Sequence, residues 1–248
     1  MKAMILAAGV GSRLRPLTEE TPKALLDVGG TPMIEQVIRR LKGAGVTELV
    51  VNLFHLGDRI VEFLASKGDF GLRIAFTRET ELLDTGGGLQ NAAWFFNDGR
   101  PFFLHNVDVL SDIDLEGLFR FHHKAGALAT LAVQRRSGSR QLLFDHDGRL
   151  CGRESPKGVE WAAGPRGDVE RLAFTGIHVI NPAIFSKMTE TGVFPITRTY
   201  LRLAGEAERI VAYRADGSYW QDIGSPDKLN AARKRAAGGT DVHAVRKS

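Results

Sequence analysis

Leu6-Ala7-Ala8-Gly9-Val10-Gly11-Ser12-Arg13-Leu14-Arg15-Pro16-Leu17-Thr18 follows the apolar run Ala3-Met4-Ile5 and leads into Thr21-Pro22-Lys23-Ala24-Leu25. A buried strand that runs into a Gly-rich turn exposes backbone N–H groups, and small side chains let a polyphosphate approach the main chain. The stretch therefore reads as an anion cradle. Two better-known phosphate loops do not fit it. A dinucleotide fingerprint needs a third glycine where Leu14 stands, and a P-loop needs Gly-Lys-Ser/Thr.

Outward from this stretch, apolar strand-like runs recur at residues 3–7, 48–53, 72–76, 102–105 and 128–133. Helical patterns separate them at residues 33–44, 56–66, 88–95 and 115–124. This alternation predicts an α/β fold, a doubly wound, mostly parallel sheet with helices on both faces. After Val133 the rhythm changes. Residues 141–144 and 149–152 flank the turn Asp145-His146-Asp147-Gly148 and predict a hairpin. Further strands are expected at 172–180, 209–213 and 218–221, and helices at 196–203 and 226–236. One domain over residues 1–236 is expected, with a nucleotide-binding half to about 133 and a sugar-side half from about 134. Residues 237–248 read as a flexible tail. The Gly- and Pro-containing stretch 161–168 reads as the best mobile loop.

With 248 residues, 43% apolar and 25% charged, the chain is long enough for one sizeable core. The formal charge of +4 comes without any dense basic run and suits a phosphate-rich small ligand at least as well as nucleic acid; no nucleic-acid partner is expected. The single cysteine, Cys151, excludes an internal disulfide and a multi-cysteine metal site, and fits a cytoplasmic location. The N-terminal apolar run breaks at Gly9, too early for an export signal or a membrane span. No histidine pair has ligand spacing, so all seven histidines read as structural.

Magnesium prefers oxygen ligands, commonly one or two carboxylates completed by water and substrate phosphates. In parallel α/β sheets ligands gather at the carboxyl ends of strands. Asp108, just after Phe102-Phe103-Leu104-His105, and Asp222, after Tyr219-Trp220-Gln221, stand at such ends and are the metal candidates. The ordinary alternative for either is a helix cap, but Ser225 before Pro226 is the better cap for the last helix.

Residues 6–25 resemble the signature of the sugar nucleotidyltransferase family, L-A-A-G-x-G-[ST]-R-[LM]-x-P-L-T followed by T-P-K. The resemblance runs from Met1 to about Ala236. It implies a nucleotide-diphospho-sugar transferase type of fold and a reaction of a nucleoside triphosphate with a sugar 1-phosphate that releases pyrophosphate. It implies that Arg13 grips the leaving phosphates, that Lys23 neutralises the α-phosphate, and that Asp108 and Asp222 hold Mg²⁺. The same resemblance makes Leu6, Ala7, Ala8, Gly9, Gly11, Ser12 and Asn106 nucleotide contacts. The segment Glu79-Thr80-Glu81-Leu82-Leu83-Asp84-Thr85-Gly86-Gly87-Gly88-Leu89 is similar to the part that wraps the base, which marks Thr85, Gly86 and Gly87. Phe174-Thr175-Gly176-Ile177 resembles the strand lining the sugar, so Thr175 and Gly176 are sugar candidates. Glu154, in the looser match Glu154-Ser155-Pro156-Lys157, is a candidate for a sugar hydroxyl, with Lys157 near it. One departure is Val107, where the family usually has glycine; a β-branched residue cannot easily adopt glycine-only angles. The short architecture looks closest to N-acetylmuramate-1-phosphate uridylyltransferases, with mannose-1-phosphate guanylyltransferases as the alternative. A monomer or small homo-oligomer is expected, with no membrane partner. A catalytically silent nucleotide-sugar sensor and a phosphocholine cytidylyltransferase are the competing readings. The first is disfavoured by the joint presence of Arg13, Lys23, Asp108 and Asp222.

Overall fold

The first strand is apolar on both faces, so it needs helices above and below, and the computed structural model, which describes residues 1–238, supplies them. Strands β1 (Lys2–Leu6), β2 (Glu48–Leu53), β3 (Arg73–Arg78) and β4 (Phe102–Asn106) form a parallel array in the order β3-β2-β1-β4. Alternation along β1 divides its side chains. Ala3 and Ile5 join a cluster with Ile34, Ile38 and Leu41 of α2 (Met33–Gly43), Ile60 and Leu64 of α3 (Gly57–Ser66), and Leu115 and Leu118 of α5 (Leu115–Ala125). Met4 points the other way, with Val50, Phe102 and Leu104, towards Leu89 of α4 (Asp84–Asn91) and Tyr200 and Leu203 of α6 (Ile196–Gly205). Each of the buried Val, Leu, Ile, Met and Phe side chains among them contributes about 1.5–3 kcal/mol.

The 11-residue strand β10 (Glu170–Ile180) joins the two halves. Its last residues run antiparallel to β4 on one side and to β6 (Ala129–Gln134) on the other, and β6 pairs in parallel with β11 (Ile210–Arg214). Its first residues pair with β7 (Gln141–Phe144), which continues through β8 (Leu150–Ser155) to β9 (Gly158–Trp161). The sheet is mixed and mostly parallel in its first half, as expected, and β10 is the strand that turns it antiparallel. A separate ribbon pairs β5 (Val109–Ser111) with β12 (Trp220–Asp222). The short helix α1 (Leu17–Glu20) follows the cradle, and α7 (Pro226–Ala237) packs Leu229 and Ala232 against Leu14, Leu26 and Leu110.

Sequence and structure differ in three places. The helix expected from residue 88 begins at Asp84 and takes in all three glycines. Glycine is a poor helix former, which is why the pattern placed the start no earlier than the last of them; here they are required by packing, as shown below. Strands β5 and β9 were not anticipated. Both are short, three and four residues, and owe their pairing to β12 and β8 rather than to an apolar alternation of their own. The expected flexible tail lies, from residue 239, outside the described residues.

Candidate active site

The strand order reverses between β1 and β4, and ligands of open α/β sheets bind at such a switch point. The chain leaving β1 is held there by two hydrogen bonds: Ala7 N–H donates to Asn52 Oδ1 at 2.6 Å, and Val107 N–H donates to the Leu6 carbonyl at 3.1 Å. Beyond it, Gly11 takes φ 68°, its carbonyl accepting from Leu14 N–H at 2.8 Å and the Thr18 hydroxyl at 2.9 Å. Leu14 is buried by this turn, while Ser12 and Arg13 project outwards, exposed. A β-carbon on Gly9 would meet no atom within 4 Å, so the backbone there faces open space. That space is a cavity of about 440 Å³ whose walls include Leu6, Ala8, Gly9, Lys23, Asn106 and Asp108. Ala7, Gly11, Ser12 and Arg13 stand behind or beside this wall.

The ribbon sets the backbones of the two expected metal aspartates side by side, although only Asp108 lines the cavity. Asp222 is paired in register with Val109, and Ile223 N–H donates to the Asp108 carbonyl at 2.8 Å. Each carboxylate carries a lysine: Lys23 Nζ on Asp108 Oδ2, and Lys228 Nζ on Asp222 Oδ1. The Lys23 and Asp108 side chains are only 11% and 25% exposed, so this pair is screened far less than a surface one. Arg13 reaches the same place. A β-carbon on Gly224 would lie 3.0 Å from Arg13 Nη2 and 2.8 Å from Asp222 Oδ2, so glycine is the residue that admits both side chains. The donor set is all oxygen and fits a hard cation such as Mg²⁺ completed by phosphate and water. Among the described residues no group of three or more His, Cys, Asp or Glu side chains is clustered for a metal.

The opposite wall comes from Asn52, Glu79, Leu82, Asp84, Thr85 and Val193. Asn52 Nδ2 donates to Glu79 Oε1 at 2.6 Å, and Glu79 Oε2 accepts from Leu83 N–H at 3.1 Å, which fixes a buried carboxylate at the cavity. For the glycines, expected at the base, the structure shows a packing role. The Gly86 and Gly87 N–H groups both donate to the Phe194 carbonyl, at 2.9 and 3.3 Å, and neither residue lines the cavity. A β-carbon would lie 2.3 Å from the Phe194 ring at Gly86, 2.4 Å from the Gly192 carbonyl at Gly87, and 2.9 Å from Glu79 Oε1 at Gly88. The triple glycine lets α4 close against the 192–194 loop and Glu79. Thr85 does line the cavity, though its hydroxyl already accepts from Ile196 N–H at 2.9 Å.

On the sugar side the candidates separate. Gly176, φ 80°, packs where a β-carbon would come within 2.7 Å of Asn106 Nδ2, beside the site. Thr175 is buried with its hydroxyl donating to the Ala132 carbonyl at 2.8 Å. Glu154 lies on the β7–β8–β9 hairpins, in an ion pair with Arg171 at 2.8 Å, and does not line the cavity; Lys157 is exposed at the hairpin turn. Val107 lines the cavity, and it is not among the positive-φ residues, so this chain does not need glycine there.

The profile of the family described as nucleotidyl transferase matches residues 2–238. The chain belongs to this nucleotidyl transferase family. It is 35% identical over 244 residues to an N-acetylmuramate alpha-1-phosphate uridylyltransferase of Neisseria meningitidis, covering 95% of this chain and 98% of that protein. To a probable mannose-1-phosphate guanylyltransferase of Arabidopsis thaliana it is 33% identical over 233 residues, 91% of this chain. It spans only 62% of that longer relative. Among solved structures, a UDP-glucose pyrophosphorylase from Acinetobacter baumanii superposes with a TM-score of 0.79 at 18% identity, over 97% of this chain and 95% of that one, and shares the fold.

Several residues of this nucleotidyl transferase site were not picked out from sequence. Lys228 had a signal, since Ser225 caps α7 by accepting from Lys228 N–H, which sets that lysine on the first turn after Asp222. Asn52 was a lone polar residue ending an apolar strand, and Glu79 stood in the quoted segment without being singled out. Histidines stay structural. His105 and His178 are fully enclosed, and burial pushes both down to about 3, so they are neutral. His178 Nδ1 meets the Tyr200 hydroxyl at 2.7 Å. Burial raises the Cys151 thiol to about 11, and it donates to the Leu143 carbonyl, a packing role. No helix of the described residues is long and apolar enough to cross a membrane.

Proposed function

We propose that this chain transfers a nucleotidyl group from a nucleoside triphosphate to a sugar 1-phosphate and releases pyrophosphate, with UTP and N-acetylmuramate 1-phosphate as the favoured pair. The observation that carries the reaction class is the Lys23–Asp108 pair at the wall of the cavity onto which Gly9 opens. The substrate pair is supported by the near-complete mutual coverage with the Neisseria meningitidis uridylyltransferase.

The polyphosphate lies along the 8–12 backbone with Arg13 on its β- and γ-phosphates. An oxygen of the sugar phosphate forms a bond to the α-phosphorus while the bond from that phosphorus to the bridging oxygen breaks, and the electron pair leaves on pyrophosphate. The attacking phosphate is already ionised at neutral pH, so no general base is needed. The work of the protein is to hold the reactants in line and to neutralise the charge that builds on the phosphoryl oxygens. Lys23, already desolvated against Asp108, exchanges part of that contact for the α-phosphate. Asp108 and Asp222 would hold a magnesium ion, which would supply further positive charge to the phosphoryl oxygens.

A second reading has its own observation. The Glu79 carboxylate faces the cavity as an acceptor, and guanine offers it N1–H and N2–H donors, whereas uracil offers one N–H between two carbonyls. This favours GTP with mannose 1-phosphate. The test is pyrophosphate release with Mg²⁺ across the common nucleoside triphosphates and N-acetylmuramate, mannose, glucose and choline phosphates, with Asp108→Asn as the blank. Turnover with UTP and N-acetylmuramate 1-phosphate supports the first pair and turnover with GTP and mannose 1-phosphate the second. Silence in all, with tight nucleotide-sugar binding, sinks the enzyme reading in favour of a sensor.

A further inference from the structure

Arg136 lies in the loop after β6, outside every motif used above. Its guanidinium sits over the Trp220 indole, 3.5 Å from the ring centroid, and Nη2 donates to the Phe174 carbonyl at 2.8 Å. The Trp220 indole N–H donates to the next carbonyl, Thr175, at 2.7 Å. Arginine and tryptophan thus clasp β10 just before Gly176, where the register of β10 on β6 shifts. Trp220 and Asp222 are two residues apart on β12, so their side chains share one face of the ribbon.

The charge state of this group is unusual for the molecule. Neighbouring Arg135 pairs with Glu170, Arg153 with Glu160 and Arg171 with Glu154, but among the described residues Arg136 is in no ion pair. Its Nε is buried with no hydrogen-bond partner. Burial lowers its pKa, and the negative charge of Asp222 acts in the opposite direction, so the guanidinium lies within the field of that carboxylate. With no ion pair and with the Phe174 carbonyl as its one hydrogen-bond acceptor among the described residues, this partly desolvated guanidinium keeps donor capacity that an anionic ligand can take up. The aromatic platform fixes the fork in one orientation, which suits an oxyanion better than a mobile lysine would.

We infer that Arg136 is a specificity-determining residue that binds an oxyanion of the sugar-phosphate substrate, either its phosphate or a carboxylate on the sugar. This rests on the nucleotidyltransfer reading.

The experiment is steady-state pyrophosphate release by wild type, Arg136→Gln and Arg136→Lys, with each substrate varied separately. Loss of one charge-assisted hydrogen bond predicts that Arg136→Gln raises KM for the sugar phosphate about 10- to 100-fold and leaves KM for the nucleotide within about twofold. Arg136→Lys keeps the charge without the stacked fork and recovers only part of the loss. An equal rise with acidic and neutral sugar phosphates assigns the phosphate, and a rise confined to the acidic one assigns the carboxylate. Unchanged KM for the sugar phosphate, or equal loss for both substrates with a lower melting temperature, overturns the inference and leaves a structural clamp. If wild type turns over nothing, the function reading fails separately. Calorimetric titration of N-acetylmuramate 1-phosphate and mannose 1-phosphate then decides the inference. Binding to wild type that Arg136→Gln loses supports it, and equal or absent binding overturns it.

Discussion

The wall of the cavity and the hairpin region beyond it are built in opposite ways. Around the cavity, Ala7 and Asn52, Asn52 and Glu79, and Gly86 and Phe194 are tied by hydrogen bonds among buried groups. On the antiparallel hairpins, which do not line it, Glu154 and Arg171, and Arg153 and Glu160, are exposed pairs. Buried polar networks are costly to leave half-satisfied, whereas exposed ion pairs are worth about 0–1 kcal/mol. The first region is therefore preorganised for one shape of ligand. The second is free to vary, and its few desolvated charges, such as Arg136, matter most.

The largest effect expected from this contrast is at Lys23. Lys23→Ala removes the cation at the reacting phosphate and is expected to lower kcat by about 10³-fold, in the range of a lost electrostatic stabiliser. A loss under tenfold in pyrophosphate release breaks the picture of a charge-built cavity wall.

The seam between the two regions is acid-sensitive. His105 and His178 lie on the paired strands β4 and β10, and their pKa values fall from 6.5 to about 3 by burial. For a histidine kept neutral in the fold, its contribution is fully present above pH 6.5 and is lost as pH falls towards 3. Each histidine contributes a slope of about 1.4 kcal/mol per pH unit within that window. Urea unfolding at pH 7.5 and 5.5 is expected to show a lower midpoint at 5.5, and equal midpoints contradict it.

Next is Gly86→Ala, which forces a methyl into the Phe194 ring and carbonyl and is expected to cost about 1–3 kcal/mol of stability, read by chemical denaturation. An unchanged midpoint would mean that α4 is not packed as tightly as the network implies. Glu79→Gln sharpens the comparison at the base: if guanine is bound, kcat/KM for GTP falls at least about tenfold relative to UTP, one lost charge-assisted hydrogen bond. If uracil is bound, the ratio moves the other way or stays. The smallest effect is expected at Glu154→Gln, within about twofold in KM for the sugar phosphate, since its partner is the exposed Arg171. A larger rise would return Glu154 to the sugar site.

The sequence was most legible where local chemistry decides structure. Strands β1, β2 and β4 showed as apolar runs, the cradle as small residues after a strand, and the cap Ser225 as a hydroxyl before Pro226. It was least legible in α4, where a run of glycines that disfavours a helix is demanded by Phe194 and Gly192, more than a hundred residues away. The same holds for β5 and β9, too short to show a period.

What the sequence by itself determined is therefore the set of elements and the types of charge: a Gly-rich turn followed by Arg13 and Lys23, and two acids at or just beyond strand ends. These follow from local periodicity and side-chain chemistry, which neighbours in the chain suffice to define. Only the tertiary structure decided which groups meet. The β5–β12 register sets Asp222 beside Asp108, the β10 bulge sets Arg136 on Trp220, and Glu154 is carried out to Arg171. Such encounters depend on hydrogen bonds and close packing between distant segments, and no local pattern encodes them.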